Sequence, residues 1–182
     1  MKLVRRKRFV EVAQVLGAML VILGALLACK GGSSSSGSGS SSSSTQKIGD
    51  TVTFDDSDWV VTEAKDAGKT LKSNSEFNEE EKKTDGRFIQ VHYKVTNKGK
   101  KEEMLLDRPK IVDDKGREFG PIDMESFYVP AKAKSIGLDT LPPSMPREYW
   151  TVIEVPADAK ALKFQVHGFG LLGDKKNVDL AL

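Results

Sequence analysis

Apolar and polar residues alternate with a period of two along much of the chain after residue 47. The clearest apolar sets are Ile48, Val52 and Phe54; Ile89, Val91, Tyr93 and Val95; Leu162, Phe164 and Val166; and Val178, Leu180 and Leu182. The residues between them are mostly polar, such as Gln90, His92 and Lys94. Because successive side chains of a strand point to opposite sides, the pattern predicts β-strands with one buried and one solvated face, as in antiparallel sheets.

Further strands are predicted around residues 59–64, 103–106, 110–112 and 148–155. Turn signals separate several of the strands, namely Asn97-Lys98-Gly99, Asp113-Asp114-Lys115-Gly116 and Gly173-Asp174. No long helical period is present, and only residues 123–128 are predicted to form one short helical turn. Many short strands with one apolar face each pack best as two facing sheets, so the sequence predicts an all-β antiparallel sandwich, with a closed barrel as the alternative.

The chain begins with a basic segment that is followed by an apolar one. The basic residues are Lys2, Arg5, Arg6, Lys7 and Arg8. The apolar run from Val15 to Ala28 has about 14 residues, whereas a helix that spans a bilayer needs about 20. It therefore predicts the apolar helix of a signal peptide, and it ends at Cys29, the single cysteine of the chain.

The four residues Leu26-Leu27-Ala28-Cys29 resemble the lipobox at which bacterial lipoproteins are processed. The resemblance implies cleavage between Ala28 and Cys29 and attachment of membrane lipid, including palmitate, to Cys29. It also implies a lipid-anchored protein of the cell membrane or outer membrane whose domain lies outside the cytoplasm. An uncleaved signal anchor, with Cys29 as an incidental thiol, is the alternative. With no second cysteine, no intramolecular disulfide can form.

Three parts are expected along the chain. Residues 1–28 form the signal peptide, residues 29–46 the lipidated cysteine with a flexible Ser/Gly linker, and residues 47–182 a single β-sandwich domain. Serine and glycine make up almost all of residues 31–45, which predicts a disordered tether. A flexible coil of this length has an end-to-end distance of about 20–25 Å. The remaining segment, of about 136 residues, is an ordinary size for one domain.

Removal of the signal peptide would reverse the sign of the formal charge. The full chain has 28 basic and 26 acidic residues and a formal charge of +2. Loss of the five basic residues and Glu11 leaves 23 basic and 25 acidic residues, a formal charge of −2. Nothing in this composition resembles the basic surface that nucleic acid binding requires, and no nucleic acid partner is predicted.

The order of several short motifs resembles a known family. These are Ile48-Gly49-Asp50, Gly86-Arg87-Phe88-Ile89-Gln90-Val91 leading to Val95-Thr96-Asn97, and Asp113 to Phe119. Their order is similar to that of the telokin-like, Ig-like domain of bacterial lipoproteins of uncharacterised function, related in fold to the mycobacterial immunoprotective extracellular protein. The resemblance runs from Lys47 to the C-terminus and implies an Ig-like sandwich without established catalytic residues. Such domains often carry Pro-Gly where this chain has Pro143-Ser144, so the local turn is expected to differ.

Candidates for chemistry are few. Asp55, Asp56 and Asp58 are weak candidates for a metal site, but the glycine and distal glutamate of a calcium loop are missing, which favours a turn whose aspartates bond backbone amides. His92 and His167 fall on the polar faces of their strands and are expected to be solvated. No cofactor is predicted, because no motif for one is present.

The stretch from Gly120 to Arg147 has no clear regular structure and is long for a compact domain. Its large apolar residues include Met124, Phe127, Tyr128, Leu138, Leu141 and Met145. Two interpretations are open, since these residues either fold back over the edge of the sandwich or present a contact surface. Trp59 and Trp150 lie in predicted strands and are expected to anchor the core.

Three functional hypotheses follow from these observations. The first is a non-enzymatic, lipid-anchored module that binds a protein or a small-molecule ligand through its loops. The second is a structural or stress-related lipoprotein of the cell envelope. The third is a metal-dependent or hydrolytic enzyme, which is disfavoured because the sequence shows no nucleophile, base and orienting group in a recognisable arrangement.

Overall fold

A computed structural model of the chain describes residues 45–76, 80–130, 133–137, 139–170 and 174–182. The predicted signal peptide, Cys29 and almost all of the tether lie outside these residues. Within the described ranges, no helix is long and apolar enough to cross a membrane.

The described residues form eleven β-strands and one short 3₁₀ helix, which spans Glu125–Phe127 between β7 and β8. The strands are β1 Gln46–Lys47, β2 Thr51–Thr53, β3 Ser57–Leu71, β4 Lys82–Asn97, β5 Glu103–Met104, β6 Lys110–Val112, β7 Glu118–Phe119, β8 Thr140–Leu141, β9 Arg147–Val155, β10 Lys163–His167 and β11 Lys175–Asp179. Each strand predicted from alternation has a counterpart, but β11 ends at Asp179, before Leu180 and Leu182, and β4 extends beyond the predicted residues 89–95. The strands β1, β7 and β8 were not predicted, because each has only two residues and cannot show a period. The equally short β5 was predicted only as part of the longer stretch 103–106.

The strands form two main sheets and one small one. The first sheet has five strands in the order β1-β11-β10-β6-β7, and the second has four in the order β2-β3-β4-β9. A third sheet pairs β5 with β8. All neighbouring strands are antiparallel except β1 and β11, which are parallel. The predicted all-β antiparallel sandwich is therefore confirmed.

The inner core lies between the two main sheets and is rich in aromatic rings. Trp59 of β3 stacks on Tyr93 of β4, with ring centroids 5.7 Å apart. Tyr93 also meets Phe164 of β10 across the sandwich at 5.4 Å. The predicted inward residues of β4 and β10 are fully buried here, as is Trp59, which confirms their assignment to the core.

A second cluster of buried residues, here called the outer cluster, lies on the other face of the four-stranded sheet. Its members are Leu71, Phe88, Ile122, Tyr128, Val129 and Val152. Gln90 is also buried on this face, with 7% of its surface exposed, and its Nε2 donates to the carbonyl O of Tyr128 at 2.8 Å. The prediction of a solvated face is therefore wrong around Phe88 and Gln90. Residues distant in sequence cover this face, which the local pattern cannot reveal.

The cover consists of residues 120–130 and 133–136, here called the cover segment. It also bonds to the free edge of β9, because Ile122 N donates to Val152 O at 2.9 Å and Trp150 N donates to Lys134 O at 2.7 Å. On its other side, Asn74 Nδ2 donates to Val129 O at 2.7 Å. The cover segment thus satisfies backbone groups of an edge strand that would otherwise be open to pairing.

Two glycines have clear structural reasons. Gly116, in the predicted turn between β6 and β7, has a φ of 73° and donates its N–H to Asp113 O at 3.1 Å, which confirms the turn. Gly86 lies against the end of β9, where a Cβ would come within 2.2 Å of the carbonyl O of Val155. Only glycine fits position 86 without displacement of the β9 backbone.

Candidate contact surface

The structure divides the candidate contact residues of the long loop into buried and exposed ones. Tyr128 is 8% exposed and Leu141 is fully buried, whereas Met124 and Met145 are 64% and 52% exposed. Phe127 is half-buried against the outer cluster. Leu138 lies outside the described residues. Tyr128 and Leu141 are therefore corrected from contact residues to parts of the two buried clusters.

Two further exposed apolar side chains accompany the methionines. Met104 is 36% exposed and Leu106 is 63% exposed, while Leu105 between them is buried in the inner core. We call Met104, Leu106, Met124 and Met145 the contact flank. The sequence Met104-Leu105-Leu106 could have indicated the exposure of Met104 and Leu106. In a strand, the two neighbours of a buried residue face the opposite side, so burial of Leu105 turns both of them outward.

The segments that carry the contact flank are joined to one another. Met104 in β5 pairs with Thr140 in β8, and the chain from β8 leads through Met145 into β9. Residues 103–108 are joined to the cover segment by an ion pair between Arg108 and Glu125. The same segments contact three different strands of the sandwich. Glu125 bonds Thr151 of β9, Asp107 O lies 3.0 Å from His167 Nε2 of β10, and Ser144 N donates to Asn97 O at the end of β4.

Glu125 is the main polar anchor beneath this surface. Only 4% of its side chain is exposed. Its Oε2 accepts a hydrogen bond from Thr151 Oγ1 at 2.7 Å and another from Val152 N at 3.2 Å, while its Oε1 pairs with Arg108. Burial lowers the pKa of Arg108. A buried carboxylate requires such partners, and no local signal in the sequence marked Glu125 as buried.

The backbone of Met124 is strained next to this anchor. Its φ of 56° and ψ of 31° are left-handed, a conformation that costs a residue other than glycine about 1–2 kcal/mol. Ile122 and Glu125 on either side of it are buried. The side chain of Met124 is therefore held out from the surface by neighbours that are fixed inside it.

Two buried tyrosines lie behind the anchor in the inner core. Burial raises the pKa of Tyr93, and burial together with the nearby Asp139 raises the pKa of Tyr149 to about 12. The rings of Tyr93 and Tyr149 are 6.0 Å apart. Both phenols are thus neutral at physiological pH and contribute packing rather than charge to this side of the molecule.

The three aspartates that were weak metal candidates occupy the turn before β3 and its first residues. Asp56 Oδ1 accepts from Ser57 Oγ at 2.8 Å, and its Oδ2 accepts from Phe169 N at 2.8 Å. Asp58 pairs with Lys98 at 3.6 Å, and Asp55 is exposed. In the part of the chain that the structure describes, no three His, Cys, Asp or Glu side chains are grouped to hold a metal ion. Asp56 bonds a backbone amide, as the turn interpretation expects.

The two histidines differ in their surroundings. His92 stacks on Trp150 with ring centroids 4.7 Å apart, and its Nδ1 lies 2.8 Å from Thr62 Oγ1. His167 is only 5% exposed, so the prediction that it is solvated is wrong. Its Nδ1 lies 2.8 Å from Gly168 O and its Nε2 lies 3.0 Å from Asp107 O, because residues before β6 fold over the end of β10.

The exposure of Trp150 also differs from the expectation. It lies on the outer face of the sheet, half-buried against the outer cluster, and Lys65 Nζ lies 5.3 Å from the centre of its ring. It therefore anchors the outer cluster and not the inner core. The sequence could not separate the two, because both faces of β9 carry large apolar residues.

A network of charges fixes the turn between β6 and β7 at one end of the sandwich. The buried carboxylate of Asp113 accepts from Lys115 N at 3.0 Å, Arg117 N at 2.8 Å and Arg117 Nε at 2.7 Å. Burial alone would raise the pKa of Asp113, but these hydrogen bonds hold it below its ordinary value. Hydrogen bonds from Lys115 and Arg117 lower the pKa of Asp158 to about 2.

A shallow groove of about 530 Å³ lies near the other end of β3, lined in part by Asp66, Lys69 and Arg87. Arg87 is already engaged there, because Nη1 pairs with Asp66 at 2.9 Å and Nη2 donates to Ala159 O at 3.1 Å. The groove therefore offers no free guanidinium for an anionic ligand, and the contact flank is the better candidate site.

Comparison with known proteins supports the fold without naming an activity. No family model matches the chain, and no curated protein matches its sequence. Solved structures do match. The Bacillus subtilis yjhA protein is 11% identical, with a TM-score of 0.56 over 74% of this chain and 100% of that one. A conserved hypothetical protein from Bacillus anthracis is 17% identical, with a TM-score of 0.52 over 72% of this chain and 94% of that one.

A third similar structure is the Bacillus subtilis ycdA protein, provisionally described as a lipoprotein. It is 14% identical, with a TM-score of 0.50 over 75% of this chain and 40% of that one. At identities this low, the likeness concerns the fold alone. The chain is a β-sandwich protein, and its function is approached through the contact flank.

Proposed function

We propose that this chain is a lipid-anchored, extracytoplasmic β-sandwich module that binds a partner protein through the contact flank and catalyses no reaction. The observation that carries the proposal is the exposure of four large apolar side chains on segments that are joined to one another. The telokin-like domains of bacterial lipoproteins, which the motif order resembles, are the family to which we assign it.

Exposed apolar groups of this kind favour a protein contact. Single exposed leucines are common on soluble proteins, but four large apolar residues on joined segments indicate an interaction surface. Three of the four are methionines, whose flexible thioethers adapt to the shape of a partner. The strained backbone at Met124 supports the same view, because strain persists where the surrounding structure maintains it and often accompanies function.

The proposed anchor and linker set a distance from the membrane. Lipid attachment at Cys29, followed by the Ser/Gly linker, would place the start of the domain at a typical distance of about 20–25 Å from the lipidated residue.

The proposal of a non-enzymatic role rests on the polar groups that could perform chemistry. The Ser57 hydroxyl donates to Asp56 and accepts from Trp59 Nε1 at 3.3 Å, while both ring nitrogens of His167 face backbone carbonyls. Glu125 is committed to Thr151, Val152 and Arg108. These three groups stabilise the fold and do not pair a base with a free nucleophile. His92 Nδ1 lies 2.8 Å from Thr62 Oγ1, but this hydroxyl is also within 3.2 Å of His92 O, to which it donates.

Anchoring is tested by growing cells with a palmitate analogue that can be labelled. The full-length chain should take up label and partition with membranes, and Cys29→Ser should do neither. Labelling of the serine variant, or a wild-type protein that remains unlabelled, would contradict the anchor while leaving the contact surface to be judged separately.

Partner binding is tested by photo-crosslinking in intact cells. A photoreactive residue at position 124 should capture a discrete protein adduct, and Leu106→Glu in the same chain should abolish it. The matched control places the photoreactive residue at Thr51, an exposed position of β2 that is not part of the contact flank. Equal adducts from positions 51 and 124, or an adduct that persists with Leu106→Glu, would overturn the assignment of the flank.

A further inference from the structure

Sulfur atoms are distributed unevenly over the described domain. Among the described residues, the only sulfur-containing side chains are Met104, Met124 and Met145, and all three are exposed. The inner core and the outer cluster contain none. The other methionines, Met1 and Met19, and the only cysteine, Cys29, precede the domain. Every oxidisable sulfur of the described domain therefore belongs to the contact flank.

We propose that the contact flank is a site of reversible methionine oxidation, at which hydrogen peroxide converts the thioethers of Met124, Met145 and Met104 to sulfoxides. The biological setting rests on the proposed extracytoplasmic position, where the reducing systems of the cytosol do not reach. The chemistry itself depends only on the exposure of the three side chains.

The reaction balances with one peroxide for each methionine. The sulfur lone pair attacks one peroxide oxygen, the O–O bond breaks, an S–O bond forms, and the second oxygen leaves as water after proton transfer. Sulfur loses two electrons and peroxide gains them. A dithiol reductant of the methionine sulfoxide reductase class reverses the change, since two thiols become a disulfide and the oxygen leaves as water.

The architecture confines the damage to the surface. Oxidation of a core methionine disrupts packing, because the sulfoxide is polar and larger than the thioether. Here the side chains that oxidation changes are 36–64% exposed. At Met124 the neighbours Ile122 and Glu125 are buried and hold the backbone in place. Oxidation should therefore alter the surface without opening the fold.

The consequence is a change in what the flank can bind. Three of its four apolar side chains become polar hydrogen-bond acceptors, and only Leu106 stays apolar. An apolar partner surface would then bury sulfoxides without partners, which is unfavourable. Peroxide would thus weaken the contact, and a reductase would restore it.

The test treats the full-length protein, purified in detergent, with hydrogen peroxide and follows each methionine by peptide mass mapping. Because reactivity follows exposure, Met124 and Met145 should gain oxygen before Met104. Retention on a hydrophobic interaction column should fall as oxidation proceeds. The thermal unfolding midpoint should shift by less than about 2 °C, as expected of surface changes. Treatment with a methionine sulfoxide reductase and a dithiol should restore the original retention.

A matched control replaces all three residues by leucine, as Met104→Leu, Met124→Leu and Met145→Leu, which nearly conserves volume. Its column retention should not respond to peroxide. The proposal is overturned if Met104 is oxidised as fast as Met124, if retention of the wild type does not change, or if the unfolding midpoint falls in step with oxidation. None of these results depends on a partner. The peptide mass map reads Met1, Met19 and Cys29 separately wherever these residues remain in the purified chain, so their oxidation is distinguished from that of the contact flank. A failed crosslinking experiment and a failed oxidation experiment are therefore separable.

Discussion

The two faces of the four-stranded sheet are both covered, but by contacts of different kinds. The inner face packs against a second sheet through rings such as Trp59, Tyr93 and Phe164. The outer face is covered by the cover segment, which also depends on the hydrogen bond from Gln90 to Tyr128 O. Glu125 of the same segment accepts a hydrogen bond from Thr151 at the β9 edge. Sheet packing thus closes one face, and an irregular segment closes the other.

The covers of the two faces should therefore open independently of each other. Exposing the inner face requires separation of the two sheets, which is global unfolding. Exposing the outer face requires only the release of the cover segment from that face and from the β9 edge, and such local opening costs less free energy than global unfolding. The contact flank includes Met124 of this segment, so the stability of the outer cover also sets how firmly the proposed binding surface is held.

The largest effect is expected from Trp59→Ala in the inner core. Trp59 is fully buried, and its loss leaves a large cavity next to Tyr93. Such truncations cost about 3–5 kcal/mol of unfolding free energy. Chemical denaturation followed by circular dichroism measures it. Trp150→Ala, on the outer face, is the matched comparison and should cost clearly less, because Trp150 is half-buried. Equal losses would show that the two faces are closed by equally strong contacts.

A smaller and more local effect is expected from Glu125→Gln. The amide keeps an oxygen for Thr151 and Val152 but leaves Arg108 without its counter-ion. Loss of one partner of a buried ion pair costs about 3–5 kcal/mol, and the partial exposure of Arg108 reduces this to about 1–3 kcal/mol. Hydrogen exchange at the Ile122 amide should accelerate, whereas exchange in the middle of β4 should change less. Glu148→Gln, at an exposed glutamate, is the control. Uniform acceleration in both regions would mean that the cover segment cannot open alone.

The sequence predicted the inner face of the four-stranded sheet but not the cover of its outer face. Period-two alternation located β4 and β10 and their buried residues, because strand geometry turns a local pattern into a face. The cover of Phe88 and Gln90 could not be predicted, since it comes from Tyr128 and its neighbours about 40 residues away and depends on tertiary contacts. Burial of His167 was missed for the same reason, since Asp107 lies far from it in sequence.

The candidate site was predicted only in part. The apolar content of residues 120–147 pointed to Met124 and Met145, but composition cannot separate side chains that turn inward from those that turn outward. Tyr128 and Leu141 turn inward. Leu106 was missed because it stands in a short apolar run that predicts only a strand. Lipidation of Cys29 stays a prediction, since that residue lies outside the described ranges.

Acid should lower the stability of the whole domain and not of one face of the four-stranded sheet. The charge network at Asp113 and Asp158 belongs neither to the inner core nor to the cover segment. The folded pKa of each carboxyl is below its ordinary value of 3.8, and that of Asp158 is about 2. The unfolded chain therefore binds more protons than the folded one in this range. The contribution of the two ionised carboxylates to the free energy of unfolding is complete above pH 3.8 and is lost as the pH falls toward about 2.

Asp113→Asn is expected to lower stability at neutral pH, because the amide loses the charge-assisted hydrogen bonds to Arg117. The gap between variant and wild type should narrow as the pH falls below 3.8. Denaturation at a series of pH values measures this, with Asp114→Asn, at an exposed neighbour, as the control. A gap that widens in acid would reverse the sign of the linkage. If Asp113→Asn accelerated hydrogen exchange on only one face of the four-stranded sheet and left the free energy of global unfolding unchanged, the expected global response would be contradicted.

The smallest effect is expected at the turn that leads into β9, whose residues contribute to both the inner core and the outer cluster. Ser144 has a φ of 58°, where the resembling family often has glycine. A left-handed residue other than glycine costs about 1–2 kcal/mol, and the greater freedom of glycine in the unfolded chain offsets part of this. Ser144→Gly should therefore raise the unfolding free energy by about 0.5–1 kcal/mol. Ser144→Ala keeps the strained backbone and should change little. Both variants keep the backbone hydrogen bond from Ser144 N to Asn97 O, which is 2.8 Å long. An equal gain in unfolding free energy with alanine would therefore assign the effect to the serine side chain and not to the backbone conformation.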